Sequence, residues 1–128
     1  MRLKMRLSKI FFLCGIVLLF LCVAAAANAA DKYDNFAKCL TSKGISMYGD
    51  FRCPHCAEQK KLFGDSFQYV HYLECGTRGQ PMTLANQQQA CREAQIKHYP
   101  TWTFQDGDRL ETVQTLEKLS EKTGCKLP

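Results

Sequence analysis

Residues 45–56 read Ile-Ser-Met-Tyr-Gly-Asp-Phe-Arg-Cys-Pro-His-Cys, and Ala57–Gly64 continues as a helix-compatible run. Ile45–Gly49 alternates and carries Ile45, Met47 and Tyr48, so it reads as a strand. Asp50–Arg52 is a short connection. Pro54 suits the first position of a helix, where its missing N–H does no harm. The stretch therefore predicts a strand, a tight loop, and a C-x-x-C pair opening a helix. Such placement has chemical meaning. A thiol attacks a disulfide as thiolate, and a helix N-terminus offers unpaired N–H groups and partial positive charge to stabilise one. Cys53 is expected to be the exposed nucleophile. Cys56, about one turn further in, is expected to resolve the intermediate by closing the ring. His55 lies between them; protonated, it favours the thiolate and makes the disulfide more oxidising.

Competing uses of the motif fare worse. Structural zinc usually needs a second close pair, whereas Cys75 and Cys91 stand 16 apart and no H-x-x-x-H is present. Attachment of a c-type haem needs C-x-x-C-H, and Ala57 follows Cys56. A purely structural bridge between residues one helical turn apart is strained. No metal and no cofactor is expected.

Working outward, Asp34–Lys43 reads as a helix with Phe36, Cys39 and Leu40 inward, closed by Gly44. Gln68–Glu74 is predicted as a second strand. Thr83–Ala94 is predicted as a polar helix with Leu84, Ala90 and Cys91 inward. Pro100 stands at the entrance of a short strand, Thr101–Phe104, and cannot donate to its ladder. Asp106-Gly107 is a hairpin signal leading into Arg109–Val113. Leu116–Thr123 closes the chain as an amphipathic helix, with Thr115 a cap and Gly124 the stop. The fold class is α/β: a small mixed sheet flanked by helices, with an extra N-terminal helix.

Charge locates the first segment. The chain of 128 residues has a net charge of +5, but Arg2, Lys4, Arg6 and Lys9 supply most of the excess. From Ala30 onward 13 basic face 12 acidic side chains, which removes the electrostatic case for nucleic acid. The basic start, the uncharged Ile10–Val23 and the alanine-rich end with Ala27-Asn28-Ala29 have the order of a secretory signal cleaved after Ala29. An uncleaved anchor over Ile10–Ala27 is the alternative. The expected division is a signal peptide at 1–29 and one domain at 30–128, periplasmic or otherwise exported. Cys14 and Cys22 fall in the signal. In an oxidising compartment the remaining cysteines default to disulfides.

Phe36-Ala37-Lys38-Cys39-Leu40, Met47-Tyr48-Gly49, Cys53-Pro54-His55-Cys56, Gln59–Gly64, Glu74-Cys75 and Tyr99-Pro100-Thr101-Trp102 together resemble the thioredoxin superfamily. They are similar in particular to the thioredoxin-like domain fused to bacterial and plant homologues of vitamin K epoxide reductase. The Cys-Pro-His-Cys tetrad is also similar to that of Dsb-type oxidases. The resemblance implies a thioredoxin-like fold with Pro100 cis and facing the C-x-x-C. It implies that Tyr99 and Pro100 leave backbone groups for an extended substrate. It further implies protein thiol or disulfide substrates and a membrane partner of the vitamin K epoxide reductase or DsbB type, here on a separate chain. Two departures matter. Arg52 stands where the superfamily usually has Trp. Met47, six residues before Cys53, stands where thioredoxins carry a buried carboxylate that assists proton transfer at the resolving thiol.

Four cysteines remain, with three possible pairings. Cys75–Cys91 would tie a helix to the preceding strand, and Cys39–Cys125 would clip the termini together; a relay role for Cys75 and Cys91 is the competing reading. Two function classes follow. One is a thiol–disulfide oxidoreductase acting through Cys53, Cys56 and His55. The other is a thiol- or copper-binding chaperone on the same fold, with His55 or Met47 as a further ligand.

Overall fold

The computed structural model describes residues 32–128; the expected signal peptide lies outside the described residues. The elements are α1 (Asp34–Ser42), β1 (Ser46–Gly49), α2 (Pro54–Phe63), β2 (Tyr72–Glu74), α3 (Gln89–Glu93), β3 (Thr101–Thr103), β4 (Arg109–Glu111) and α4 (Leu116–Thr123). The strands form one mixed sheet in the order β2-β1-β3-β4. β1 runs parallel to β2, with Met47 opposite Tyr72, and antiparallel to β3, with Met47 opposite Trp102. β3 and β4 form the hairpin around Asp106 and Gly107. The architecture is mixed α/β and consistent with a thioredoxin-like fold.

Alternation along β1 divides the core. Met47 points into the larger cluster, with Phe36 and Leu40 of α1, Phe63 of α2, Trp102 of β3, and Leu116 and Leu119 of α4. The rings of Phe36, Phe63 and Trp102 stand in line, with centroids 5.9 Å apart at both contacts. Tyr48, one residue on, packs against the smaller cluster of Cys75, Cys91 and Ile96. This period of two gives each face of the sheet its own helices. α4 keeps both expected ends: Thr115 Oγ1 accepts from the Lys118 N–H, and Gly124 stops the helix at φ +71°.

Two elements differ from the sequence expectation. Of Gln68–Glu74 only Tyr72–Glu74 is strand, and Gly64–Tyr69 forms a 3-10 helix. The turn carries Phe67 edge-on against Phe63 and Tyr72. Thr41 of α1 takes the polar groups a strand would have paired, donating to Tyr69 O and accepting from the His71 N–H. The second difference is Thr83–Ala94, which breaks into a 3-10 turn at Leu84–Asn86 and the short α3. Gln87 and Gln88 between them are extended, at ψ 153° and 149°. Burial of the Gln87 side chain requires that break, and Leu84 and Ala90, expected inward, are exposed.

Two disulfides brace the domain. Cys39–Cys125 joins α1 to the segment after α4 across 86 residues, and Cys75–Cys91 joins the end of β2 to α3 across 16. Loop closure makes each worth about 3–4 kcal/mol, the longer loop more.

Gln59 is fully buried, and both its amide oxygen and its amide nitrogen are hydrogen-bonded. Its Oε1 accepts from Trp102 Nε1 (3.2 Å) and the Gln114 N–H (2.7 Å), and its Nε2 donates to Gln114 O (2.9 Å). One side chain thus ties α2 to β3 and to the chain entering α4. Gln59→Leu should lower the unfolding free energy by about 2–4 kcal/mol, because the buried Trp102 N–H and the half-buried Gln114 N–H lose their acceptor. Urea denaturation of the oxidised protein measures it; a loss under about 1 kcal/mol would mean that the network contributes little.

Candidate active site

Cys53 is the N-cap of α2, in an extended conformation at φ −77° and ψ 119°, and Pro54 occupies the first turn. Its own N–H donates to Asp50 O (3.0 Å), which folds the β1–α2 connection into a tight turn. Cys53 and Cys56 are free thiols. Cys53 is expected from sequence to be exposed; it is only 7% accessible, against 1% for Cys56. The cover includes the neighbouring loop: Cys53 Sγ lies 3.8 Å from the carbonyl oxygen of Tyr99. Access remains easier at Cys53 than at Cys56, in the order an attacking and a resolving thiol require.

The Tyr99–Pro100 peptide bond is cis, and Pro100 is buried. Pro100 O accepts from the Thr112 N–H (2.8 Å), so the carbonyl beside Cys53 belongs to Tyr99. Tyr99 is itself held in place. Gln87, 4% exposed, donates through Nε2 to Ile96 O (2.8 Å) and to the Tyr99 hydroxyl. Tyr99 also packs on the Cys75–Cys91 cluster, so that disulfide lies directly behind the loop facing Cys53. Gln87 carries no local signal in the sequence: it is one polar residue inside the polar run Thr83–Ala94.

Burial pushes the Cys56 thiol up to about 12; the Cys53 sulfur adds to this, while the Asp50 backbone N–H and Lys60 work against it. Cys56 therefore holds its proton at neutral pH. Gly49 makes its position possible. A Cβ at residue 49 would come within 2.8 Å of Cys56 Sγ and 2.9 Å of the Tyr72 ring, closer than real contacts allow.

Arg52, the residue before Cys53, closes on Asp50. Its backbone N–H and Nε both donate to Asp50 Oδ1 (2.9 Å each), and Nη2 donates to Oδ2 (2.7 Å). Asp50 is 2% exposed, and the Arg52 hydrogen bonds hold its carboxyl below the ordinary carboxylate range. Arg52 Nη1 reaches Gln80 O, and its guanidinium also stands over the exposed Phe51 ring. His55, between the two cysteines, is exposed on the first turn of α2. Met47 is fully buried in the larger core cluster. Among the described residues no group of three or more His, Cys, Asp or Glu side chains is placed to hold a metal ion. The structure thus brings together Cys53, Cys56, Tyr99 and Pro100, with His55 at the rim and the Cys75–Cys91 disulfide behind. Cys39–Cys125 belongs to the other end of the chain's packing, in contact with the larger core.

No family model matches the chain. Over 92 residues it is 38% identical to the thiol-disulfide oxidoreductase LTO1 of Arabidopsis thaliana, a match that covers 71% of this chain and 24% of that protein. The chain thus spans about a quarter of the length of the curated relative it resembles, and within that span it is similar to a thiol–disulfide oxidoreductase.

Proposed function

We propose that this chain is an exported thiol–disulfide oxidoreductase that donates or shuffles disulfides in protein substrates through Cys53 and Cys56. The observation that carries the reading is the pairing of a helix-capping Cys53 with the Tyr99 carbonyl at 3.8 Å, with Cys56 buried one turn behind. Similarity to a plant thiol-disulfide oxidoreductase supports the reaction class.

The chemistry follows from position. A substrate thiolate attacks Cys53 Sγ, the more accessible sulfur of the oxidised pair. The Cys53–Cys56 bond breaks and Cys56 takes the electron pair. A second substrate thiolate then attacks the substrate sulfur of the mixed disulfide, and Cys53 leaves. The substrate is oxidised by two electrons and the domain reduced by two. Stabilising charge at Cys53 comes from the helix end and, when protonated, from His55, and both favour the reduced protein. The Tyr99 backbone offers the substrate an extended pairing partner beside the reacting sulfur. A quinone-linked membrane protein of the vitamin K epoxide reductase or DsbB type would return the domain to its disulfide form. Cys75–Cys91 and Cys39–Cys125 are structural in this reading. Cys75 and Cys91 are both fully buried and lack the helix-end setting of Cys53.

Cys53→Ala should abolish exchange with the fold intact, and Cys56→Ala should accumulate substrate adducts on Cys53. Peptide mapping of trapped adducts tests the order; adducts on Cys56 in the first variant and none on Cys53 in the second would reverse it. Graded reduction with alkylation separates the cysteines by role. Cys53–Cys56 should open at reductant strengths that leave the other two bridges closed, since structural disulfides of exported domains lie at lower potential. Opening of Cys75–Cys91 together with the active pair would identify it as a relay.

A further inference from the structure

Closing the Cys53–Cys56 disulfide requires Cys56 to lose its proton, and position 47, where the superfamily keeps a carboxylate for this, holds an apolar Met47. The space beside Cys56 is not without polar groups, however. Met47 pairs across the parallel ladder with Tyr72 of β2. The point a Cβ on Gly49 would occupy is 2.8 Å from Cys56 Sγ and 3.1 Å from the Tyr72 hydroxyl oxygen. Sulfur and hydroxyl therefore border one small space, within reach of direct contact after a small rotation or of one bridging water. The Tyr72 hydroxyl donates in turn to Glu74 Oε2 (2.8 Å). Glu74 is fixed by its other oxygen, which accepts from the Phe51 N–H (3.1 Å) and the Gly76 N–H (2.6 Å).

We infer that Tyr72 and Glu74 form the proton relay of the resolving thiol, doing from the neighbouring strand what a carboxylate at position 47 does elsewhere in the superfamily. The inference rests on the oxidoreductase reading above. In the closing direction Cys53 is joined to a substrate sulfur. The Cys56 proton passes to the Tyr72 oxygen as the Tyr72 proton passes to Glu74. The Cys56 thiolate then attacks Cys53 Sγ, the bond from Cys53 to the substrate breaks, and the substrate sulfur leaves with the electron pair. The domain's dithiol is oxidised by two electrons and the substrate disulfide reduced by two. In the opening direction the same proton returns to Cys56 as it leaves.

The other ionisable neighbours are poorer acceptors. Those acting on Cys56 and Tyr72 are Cys53 and Lys60 from α2, Asp50 from the β1–α2 loop, and Glu74 on β2. Tyr99, from the loop before β3, also feels Cys56, Asp50 and Glu74. Asp50 has both carboxylate oxygens committed to Arg52 and is held in its ionised form by them. Lys60 is a cation, 3.9 Å above the Tyr72 ring, and supports negative charge there without accepting a proton. Burial and the Glu74 carboxylate raise the Tyr72 phenol well above its usual range. Tyr72 therefore hands a proton on and does not give up charge of its own.

The test uses reduced protein, with both structural bridges intact, and excess dithiobis(nitrobenzoate), an aromatic disulfide whose thiolate is coloured. Attack by Cys53 releases the first thiolate and resolution by Cys56 the second. Tyr72→Phe keeps the ring in place, and Glu74→Gln keeps an acceptor for Phe51 and Gly76. Both variants should slow the second release at neutral pH by roughly tenfold or more. The first release, which needs Cys53 alone, serves as the internal control. The deficit should shrink as pH rises, because hydroxide then removes the Cys56 proton unaided. Second-phase rates and pH profiles matching the wild type in both variants would overturn the relay. Absence of the first release in the wild type would overturn the exchange reading itself, and the relay with it.

Discussion

A fully buried thiol one helical turn behind a slightly more open one is the constraint on which this molecule is organised. Cys56 must be inside, because only there can it reach back to Cys53 while staying closed to solvent and to competing disulfides. Being inside makes its proton hard to remove. The surroundings then follow as consequences. Residue 49 has no side chain because the sulfur and the Tyr72 ring occupy that space. β2 lies parallel to β1 and brings Tyr72 and Glu74 alongside. α2 begins at Pro54 with Cys53 as its N-cap, after a tight turn in which the Cys53 N–H donates to Asp50 O.

Amide and guanidinium side chains, more than hydrophobic contact, set the geometry around the sulfurs. Gln59 fixes α2 to β3 from below. Gln87 fixes Tyr99, whose carbonyl faces Cys53. Arg52 neutralises Asp50 and extends to the loop at Gln80. Each buried polar group costs free energy unless paired, so each is a position with few tolerated alternatives. The cost is offset by exactness of placement, which a slippery apolar contact would not supply.

What could be read from residues alone divides along physical lines. The strand, loop and helix around Cys53 were legible because Pro54, the alternation of β1 and the spacing of the thiols are local signals. The α4 boundaries were legible for the same reason, in Thr115 and Gly124. The segments before and after β2 were not. Gln68–Tyr69 looks like strand until Thr41 takes its polar groups. Thr83–Ala94 looks like a helix until Gln87 is drawn inward by Ile96 and Tyr99. Both outcomes are decided by partners distant in sequence, which periodicity does not contain. The apolar Met47 was visible, but the inferred role of Tyr72 and Glu74 was not, because Tyr72 comes beside Cys56 only through strand pairing and Glu74 only through Tyr72.

If Cys53 and Cys56 are the redox pair that oxidises other proteins, their reduction potential must show it. Equilibration against glutathione buffers, followed by alkylation and mass measurement, should give a single two-electron transition confined to Cys53 and Cys56. Its potential should lie above thioredoxin's, toward the range of about −180 to −120 mV that protein disulfide isomerase and Dsb-type oxidases span. A value at or below about −270 mV, or no transition at this pair, would contradict the account.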